Sequence, residues 1–276
     1  MVFVYLNGRL GNYLFQVAAG LSLSSEVSLI APSEKIYKEV LKYPEIFGKF
    51  TLLRNMPQNV VLYEEQDFYY KEIPYKGGDL ILKGNFQSFK YIRINPKVLF
   101  NTQPLYVISY INNLKINPKE YVGIHVRRGD YLKLPHRHPF CGLNYYLKAI
   151  KAFPKGTKFL VCSDDMNWCK KKFRGNEYLF IDSKNEMIDF YLLSMCNSNI
   201  ISNSTFSWWA SFVNSENKRI LAPSRWFGIQ LKSISTRDLY LPKTEIIKVD
   251  YNWGLYCKAL FFNYKDKISK LIHNYK

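Results

Sequence analysis

The chain has 276 residues, of which 47% are hydrophobic, so it is long enough for one large or two small domains with a buried core. Its 39 basic and 22 acidic residues give a formal net charge of +17, which predicts an anionic partner: nucleic acid, an anionic membrane surface or a phosphorylated small molecule. No run approaches the ~18 apolar residues of a membrane span.

The five cysteines form no CxxC pair, and the four histidines do not stand at ligand spacing from them. This usage is typical of reduced thiols and argues against a structural zinc site. The first residues lack the pattern of a secretory signal peptide. We therefore expect a cytoplasmic protein.

The first half of the chain opens with a predicted strand at residues 2–6, a turn containing Gly8 and Gly11, and a helix at residues 13–24. A glycine turn that enters a helix favours an anion, because free N–H groups and the helix dipole point there. The lysine and Ser/Thr of a P-loop are missing, so an ordinary strand–helix turn is an equal alternative. Further predicted strands cover residues 27–30 and 79–85, a further helix covers residues 36–43, and another helix is expected within residues 97–114.

From residue 118 onward, strands and helices alternate regularly. The predicted strands are residues 121–126, 158–162, 178–181, 199–202 and 219–222, and the predicted helices are residues 145–152, 166–173, 186–195 and 206–213. Strand–helix–strand units at this spacing predict a parallel, right-handed α/β sheet. We place the domain boundary at Asn117-Pro118, which gives domains of residues 1–117 and 118–276.

Three polar loops fall at the carboxyl edge of this second sheet, where open α/β sheets bind ligands. Residues 127–130 (RRGD) supply guanidinium groups that suit phosphate. Residues 163–165 supply carboxylates for a ribose hydroxyl or the N1–H/N2–H edge of guanine, and residues 203–207 supply hydroxyls and a helix N-terminus for a phosphate. Each loop alone could be a solvated edge or an N-cap. Together they predict a nucleoside-diphosphate site.

Five segments carry a more specific pattern: GRLGNYLFQ (8–16), HVRRGDY (125–131), CSDDMNWCK (162–170), ISNSTFSWWAS (201–211) and LAPSRW (221–226). In this order they resemble bacterial α-1,2-fucosyltransferases of glycosyltransferase family 11. The resemblance implies an α/β, GT-B-like fold with two Rossmann-like domains and mostly parallel sheets. The donor would bind in the C-terminal domain. One departure is Tyr13-Leu14, where the family usually has Gln-Met.

The resemblance also implies a reaction: inverting transfer of fucose from GDP-fucose to the O2 of a galactose, in O-antigen or capsule synthesis. No metal ion or other cofactor is expected. The implied partners are GDP-fucose and a galactose-terminated oligosaccharide or lipid-linked glycan, with no nucleic acid. Residues 30–115, which should select the acceptor, carry no matching motif.

The family's site residues carry over by position. Arg128 would grip the diphosphate with Arg127 in support. The remaining donor contacts would come from His125 and Asp164 near the guanosine, from Ser204, Thr205 and Ser207 at the phosphates, and from Gly11 and Asn12 in the other domain.

The general base is expected to be Asp130, because it follows the two arginines directly. His136 and His138 are alternatives, since imidazole titrates near neutral pH. A strong base is not required if the acceptor hydroxyl becomes acidic late in the reaction.

Residues 255–276 have the pattern of a basic amphipathic helix, which either docks onto the core or lies on the inner face of the cytoplasmic membrane. Two other functions stay open. The charge and aromatic content fit a nucleic-acid-binding protein, although the basic residues are scattered and no such motif is seen. The enzyme could also use another nucleotide sugar.

Overall fold

The computed structural model describes residues 1–100, 103–213, 218–250 and 253–274. Its contacts divide the chain into two compact units. The first unit consists of Met1–Ser109 and Ser235–Pro242, and the second consists of Tyr110–Ile234 and Lys243–Lys276. The chain thus leaves the first unit shortly before the predicted boundary and returns to it once.

The first unit contains a five-stranded parallel sheet with the strand order β3-β2-β1-β5-β4. Its strands are β1 (Val2–Tyr5), β2 (Val27–Ile30), β3 (Thr51–Leu53), β4 (Val61–Glu64) and β5 (Leu80–Lys83). Its helices are α1 (Leu10–Leu21), α2 (Glu34–Val40), α3 (Pro44–Phe47) and the start of α4 (Leu105–Leu114). Because β1 is central, both of its faces are covered, which explains its continuous apolar sequence.

The structure adds elements to the predictions for this unit. The helix predicted within residues 97–114 is α4, which begins only after Pro104, and Pro96–Phe100 before it forms a 3₁₀ turn. Residues 101–102 lie outside the described residues. The strands β3 and β4 were not predicted, because both are short edge strands with exposed residues that break the apolar alternation.

The returning segment Ser235–Pro242 is fixed to the first unit by Asp238, which is almost fully buried. Its carboxylate pairs with Lys90 (2.7 Å) and accepts from the backbone N–H of Tyr70 (3.0 Å). Burial alone would raise the pKa of this carboxyl group, but Lys90 and the Tyr70 N–H lower it overall. A charged side chain therefore fixes this segment to the first unit.

The second unit contains a six-stranded parallel sheet with the strand order β11-β10-β9-β6-β7-β8. Its strands are β6 (Tyr121–Val126), β7 (Lys158–Ser163), β8 (Tyr178–Ile181), β9 (Ser198–Ile200), β10 (Arg219–Pro223) and β11 (Glu245–Ile247). Its helices after α4 are α5 (Gly142–Lys151), α6 (Met166–Lys172), α7 (Glu186–Met195), α8 (Thr205–Phe212) and α9 (Trp253–Asn274). The edge strand β11 was not predicted.

The predicted fold class, α/β with two Rossmann-like domains and parallel sheets, is confirmed. In the second sheet β6 lies at the centre, with β7 and β9 as its neighbours. Across the described parts of the chain, no helix combines the length and apolar character needed to cross a bilayer.

Candidate active site

Three adjacent strands bring the three polar loops together. β9, β6 and β7 are neighbours and parallel, with Val126 opposite Ser163 and Ile124 opposite Ile200 in the register. Their carboxyl ends therefore lie side by side at one edge of the sheet. This edge carries the loops that start at Arg127, Asp164 and Ile201.

Arg127 is held between two carboxylates. One terminal nitrogen lies 2.7 Å from Asp130 Oδ1 and the other lies 3.0 Å from Asp164 Oδ2. The guanidinium group also lies over the ring of Tyr131, 5.5 Å from its centroid. Both of its terminal nitrogens are thus already occupied by acids of the same edge.

Arg128 is held by stacking. Its guanidinium carbon lies 4.4 Å from the ring centroids of both Phe140 and Trp168, and its Nε donates to Asp165 Oδ2 at 2.9 Å. Within the described residues its two terminal nitrogens have no protein partner, although the side chain is only 14% exposed. Two aromatic faces and one ion pair therefore orient a guanidinium group whose two terminal nitrogens can donate to a ligand.

The two aspartates after β7 have different tasks. Asp164 Oδ1 accepts from the backbone N–H of Arg128 at 2.8 Å, so this residue links the second loop to the first. Asp165 is the N-cap of α6 and accepts from the Trp168 N–H at 3.1 Å. Burial alone would raise the pKa of Asp165, but the hydrogen bond from Arg128 and the cap lower it overall.

Gly129 lies close to the Asp164 carboxylate. A Cβ atom at this position would lie 2.6 Å from Asp164 Oδ2, in the carboxylate that holds Arg127. A side chain here would therefore displace the Asp164 carboxylate.

The third loop leads into α8. Ser204 is the N-cap residue of α8, but its hydroxyl makes no capping hydrogen bond, and Thr205 begins the helix half-buried. The N-terminal end of α8 therefore lacks a side-chain cap at the carboxyl edge of the sheet.

Two predicted donor contacts lie beneath this loop rather than on it. Ser207 is 1% exposed, and its hydroxyl donates to the Ser204 carbonyl at 3.2 Å. His125 is buried, with Nδ1 2.9 Å from Ser202 Oγ and its ring 5.2 Å from the ring of Phe206. Burial, together with the positive charge of Arg127, lowers the pKa of His125 to about 3. A neutral, buried His125 supports the loop from below.

Gly11 and Asn12 lie in the first turn of α1, in the first unit. Gly8 before them has φ +89°, and a Cβ atom there would overlap with the Asn12 amide. Tyr13, the departure from the family pattern, is buried and donates through its hydroxyl to the Gly8 carbonyl at 3.0 Å. These contacts explain the local sequence of the turn.

The candidate bases differ in access. Asp130 is partly exposed at the edge, where it faces Arg127. His136 is completely buried and stacks on Phe262, which removes it from contact with an acceptor. His138 stacks on Tyr131 at 5.0 Å, and burial lowers its pKa. Asp130 and His138 remain as candidates.

Several residues of this edge were not identified from the sequence. Phe140 and Trp168 stack on Arg128, and the Tyr131 hydroxyl donates to the Asn203 carbonyl at 2.9 Å. Their closeness in sequence to the arginine and aspartate motifs is the feature that could have identified them.

Asp189, on α7, is a further carboxylate whose pKa is raised to about 7 by burial. Among the described residues, no group of three or more His, Cys, Asp or Glu side chains could hold a metal ion.

A sheet edge with an oriented arginine and a helix N-terminus without a side-chain cap defines an α/β protein suited to an anionic ligand. The family described as glycosyl transferase family 11 matches residues 1–248, and the chain belongs to this family.

Relatives with this similarity include two proteins of Escherichia coli. The O-antigen biosynthesis glycosyltransferase WbnK is 36% identical over 130 residues, which is 43% of this chain and 43% of WbnK. An alpha-1,2-colitosyltransferase is 34% identical over 118 residues, which is 38% of this chain and 41% of that protein. The galactoside 2-alpha-L-fucosyltransferase SEC1 of Bos taurus is 30% identical over 119 residues, which is 38% of this chain and 32% of that protein. The matched stretches thus span less than half of these relatives.

Among solved structures, the NodZ alpha-1,6-fucosyltransferase soaked with GDP-fucose aligns with a TM-score of 0.49 at 14% identity. The alignment covers 77% of this chain and 91% of NodZ.

Proposed function

We propose that this protein is a galactoside α-1,2-fucosyltransferase that moves fucose from GDP-fucose to the O2 of a terminal galactose in surface-glycan synthesis. The transfer inverts the anomeric centre and needs no metal ion. Membership in glycosyl transferase family 11 supports this proposal, as do the names of relatives that act in O-antigen synthesis or on galactosides. The acceptor would be a galactose-terminated oligosaccharide or a lipid-linked glycan.

The observation that carries the proposal is the geometry of Arg128. In the transfer, the acceptor oxygen forms a bond to the fucose C1 while the bond from C1 to the diphosphate breaks, so negative charge develops on the leaving GDP. Two oriented terminal nitrogens of Arg128 would donate to that charge. Ser204, Thr205 and the N–H groups of the first turn of α8 would bind the same diphosphate from the neighbouring loop.

The other residues of the edge would position these donors. Arg127 and Asp164 hold the first loop against the second, and His125 and Ser207 hold the third loop from below. Asp130 would accept the proton of the acceptor hydroxyl as the oxocarbenium-like state forms.

The sugar of the donor has a second candidate. One relative is named a colitosyltransferase, so a different deoxy sugar on the same kind of leaving group fits the same edge. The contacts described above involve the diphosphate rather than the sugar. The two candidates differ in which sugar nucleotide the enzyme turns over. For either candidate, comparing inhibition by GDP with inhibition by UDP identifies the nucleobase of the donor.

The decisive experiment measures GDP release from GDP-fucose by the purified protein, with EDTA present, across a panel of galactosides. We expect turnover with a galactoside and no effect of EDTA. Tight GDP binding without turnover would retain the donor site and reject the acceptors tested. Neither turnover nor GDP binding, together with a salt-steep affinity for generic nucleic acid, would overturn the proposal in favour of a nucleic-acid-binding protein.

A further inference from the structure

One face of the helix α9 packs against the rest of the second unit. Ala259 is 5% exposed, and Phe262 stacks on the buried ring of His136 with 6.0 Å between centroids. Tyr256 and Ala259 also line a cavity of about 60 Å³ together with Ile229. The predicted docking of this helix onto the core therefore accounts for one side of it.

A second apolar surface lies on the opposite side of α9. Leu260, Phe261, Tyr264 and Ile268 are 45%, 65%, 67% and 39% exposed. At 100° per residue these four positions fall within an arc of about 100°, centred roughly opposite the docked Ala259. We call these four residues the apolar stripe. Docking onto the core does not explain it.

The stripe is more than scattered surface hydrophobics. Leu260 and Phe261 precede Tyr264 by four and three residues, and Ile268 follows Tyr264 by four, so the side chains form one continuous surface along the helix. Contiguous exposed apolar surface on a globular protein typically marks an interaction site. Two of the four are aromatic, and a tyrosine combines an apolar ring with a polar tip that suits a boundary between water and lipid.

Positive charge accompanies the stripe. The segment Trp253–Asn274 contains four lysines and one aspartate, a net charge of +3, in a chain of net charge +17. Lys258 and Lys265 are exposed and lie on the flank of the stripe, about 180–200° from Tyr256 on the helical wheel. Long lysine side chains beside an apolar face can extend toward lipid phosphates while the face itself inserts.

We propose that α9 binds an anionic lipid bilayer surface, with the apolar stripe inserted at the headgroup boundary and Lys258 and Lys265 on the headgroups. The charge selects this occupant over a second copy of the chain, because two stripes packed together would bring like charges of +3 into contact. The proposal concerns adsorption to the surface and does not depend on which sugar the enzyme transfers.

The test uses the full chain and two kinds of large vesicle. One kind contains phosphatidylcholine alone, and the other also contains about 30% phosphatidylglycerol, an anionic lipid. Sedimentation with the vesicles gives the partition coefficient. We expect binding to the anionic vesicles to exceed binding to the neutral ones by about tenfold or more, and to fall with salt.

Two variants separate the apolar from the charged contribution. Phe261→Ser with Tyr264→Ser should lower the partition coefficient by about tenfold or more, because two inserted aromatic rings are lost. Lys258→Gln with Lys265→Gln should lower it about fivefold for each lysine. The matched controls are Leu41→Ser, an exposed apolar residue of the first unit, and Lys155→Gln, an exposed lysine outside α9. Both should bind like the unchanged protein.

Cys257 offers an independent readout. All five cysteines lie within the described residues, four of them buried and Cys257 exposed beside the stripe. A polarity-sensitive fluorophore on this thiol should shift to the blue with anionic vesicles and not with neutral ones.

Loss of binding in the stripe variant, with unchanged circular dichroism and unchanged turnover of a soluble acceptor, supports the proposal. Equal binding of the stripe variant and the unchanged protein overturns it, because adsorption would then come from general charge. Failure to bind anionic vesicles also overturns it. A dimer in sedimentation velocity that the stripe variant abolishes would assign the surface to a second copy instead.

Discussion

The loop after β1 in the first unit and the loop after β6 in the second unit are held by different kinds of groups. In the first, the buried amide of Gln16 accepts from the Asn7 N–H at 3.2 Å and donates to the Gly84 carbonyl at 2.9 Å. In the second, Arg127 and Arg128 are tied to the carboxylates of Asp130, Asp164 and Asp165. The first loop depends on neutral hydrogen bonds and the second on ion pairs.

This difference in contacts corresponds to a difference in role: the first loop contributes to stability, and the second orients donors for a ligand. Removing a neutral, buried hydrogen-bonding group costs stability, because its partners stay buried and unsatisfied. The two guanidinium groups and the three carboxylates that bind them, one from this loop and two from the loop after β7, sum to a net charge of −1, so this cluster does not attract an anion by its charge alone. What the ion pairs and aromatic rings provide is direction, in the form of two donors of Arg128 held ready for a ligand.

The largest effect is expected from removing the oriented guanidinium group of the second loop. Arg128→Ala should lower turnover by about 100- to 1000-fold, the effect of losing one donor to a developing anion. Arg128→Lys keeps the charge but loses the planar fork and the stacking on Phe140 and Trp168, so it should lose about tenfold or more. The measurement is GDP release at saturating substrate.

Arg54→Ala, which removes an exposed partner of Glu34 in the first unit, is the control and should be near normal. Near-normal turnover of Arg128→Ala would mean that the diphosphate is bound elsewhere. Full activity of Arg128→Lys would mean that charge, not direction, is the contribution of this loop.

The next largest effect is expected at the candidate general base, which accepts the proton of the acceptor hydroxyl. Asp130→Asn should lower turnover by about 100-fold, because an amide cannot accept the acceptor's proton. GDP release measures this loss, and Arg127→Gln, which breaks the same ion pair but keeps the carboxylate, separates the role of the base from that of the ion pair. Unchanged turnover would exclude Asp130 as the base, and His138→Gln would then be the variant to measure.

In the loop after β1, the effect should appear in the free energy of unfolding. Gln16→Leu leaves the Asn7 N–H without its acceptor and the Gly84 carbonyl with one donor fewer, so the free energy of unfolding should fall by about 2–3 kcal/mol. Urea denaturation followed by circular dichroism measures it. Gln66→Leu makes the same chemical change at an exposed site and should stay within about 0.5 kcal/mol. Equal losses in both variants would refute the special role of Gln16.

The smallest effect is a pH dependence. Burial raises the pKa of Asp189 from 3.8 to about 7 in the folded protein. The folded state therefore keeps a proton that the unfolded state releases, and this contribution is complete below pH 3.8 and lost as the pH rises to about 7. Asp189→Asn cannot ionise and its side-chain oxygen can still accept from Ser183, so it should abolish that slope.

At pH 8 we expect Asp189→Asn to be more stable than the unchanged protein by on the order of 1–2 kcal/mol, and equal to it near pH 4. Denaturation curves at both pH values provide the test. Glu72→Gln, an exposed carboxylate, serves as the control and should be indistinguishable from the unchanged protein at both. A variant that is less stable at pH 8 would contradict the raised pKa.

The local sequence determined the framework of the second unit. Short β-branched runs such as residues 121–126 could be buried only as strands, and their spacing required parallel pairing. Parallel pairing in turn placed the loops after β6, β7 and β9 at one edge. The short strands β3, β4 and β11 escaped prediction because partly exposed edge residues carry little periodic signal.

Only the tertiary structure decided what each polar residue of that edge touches. Asp164 binds the Arg128 N–H across 36 residues of chain, and Asp165 rather than its neighbours caps α6. Burial likewise turned His125 and Ser207 into supports beneath the loop. The physical reason is that periodicity fixes which face of an element is apolar, whereas the partner of a side chain depends on the packing of distant segments, which one sequence does not encode locally.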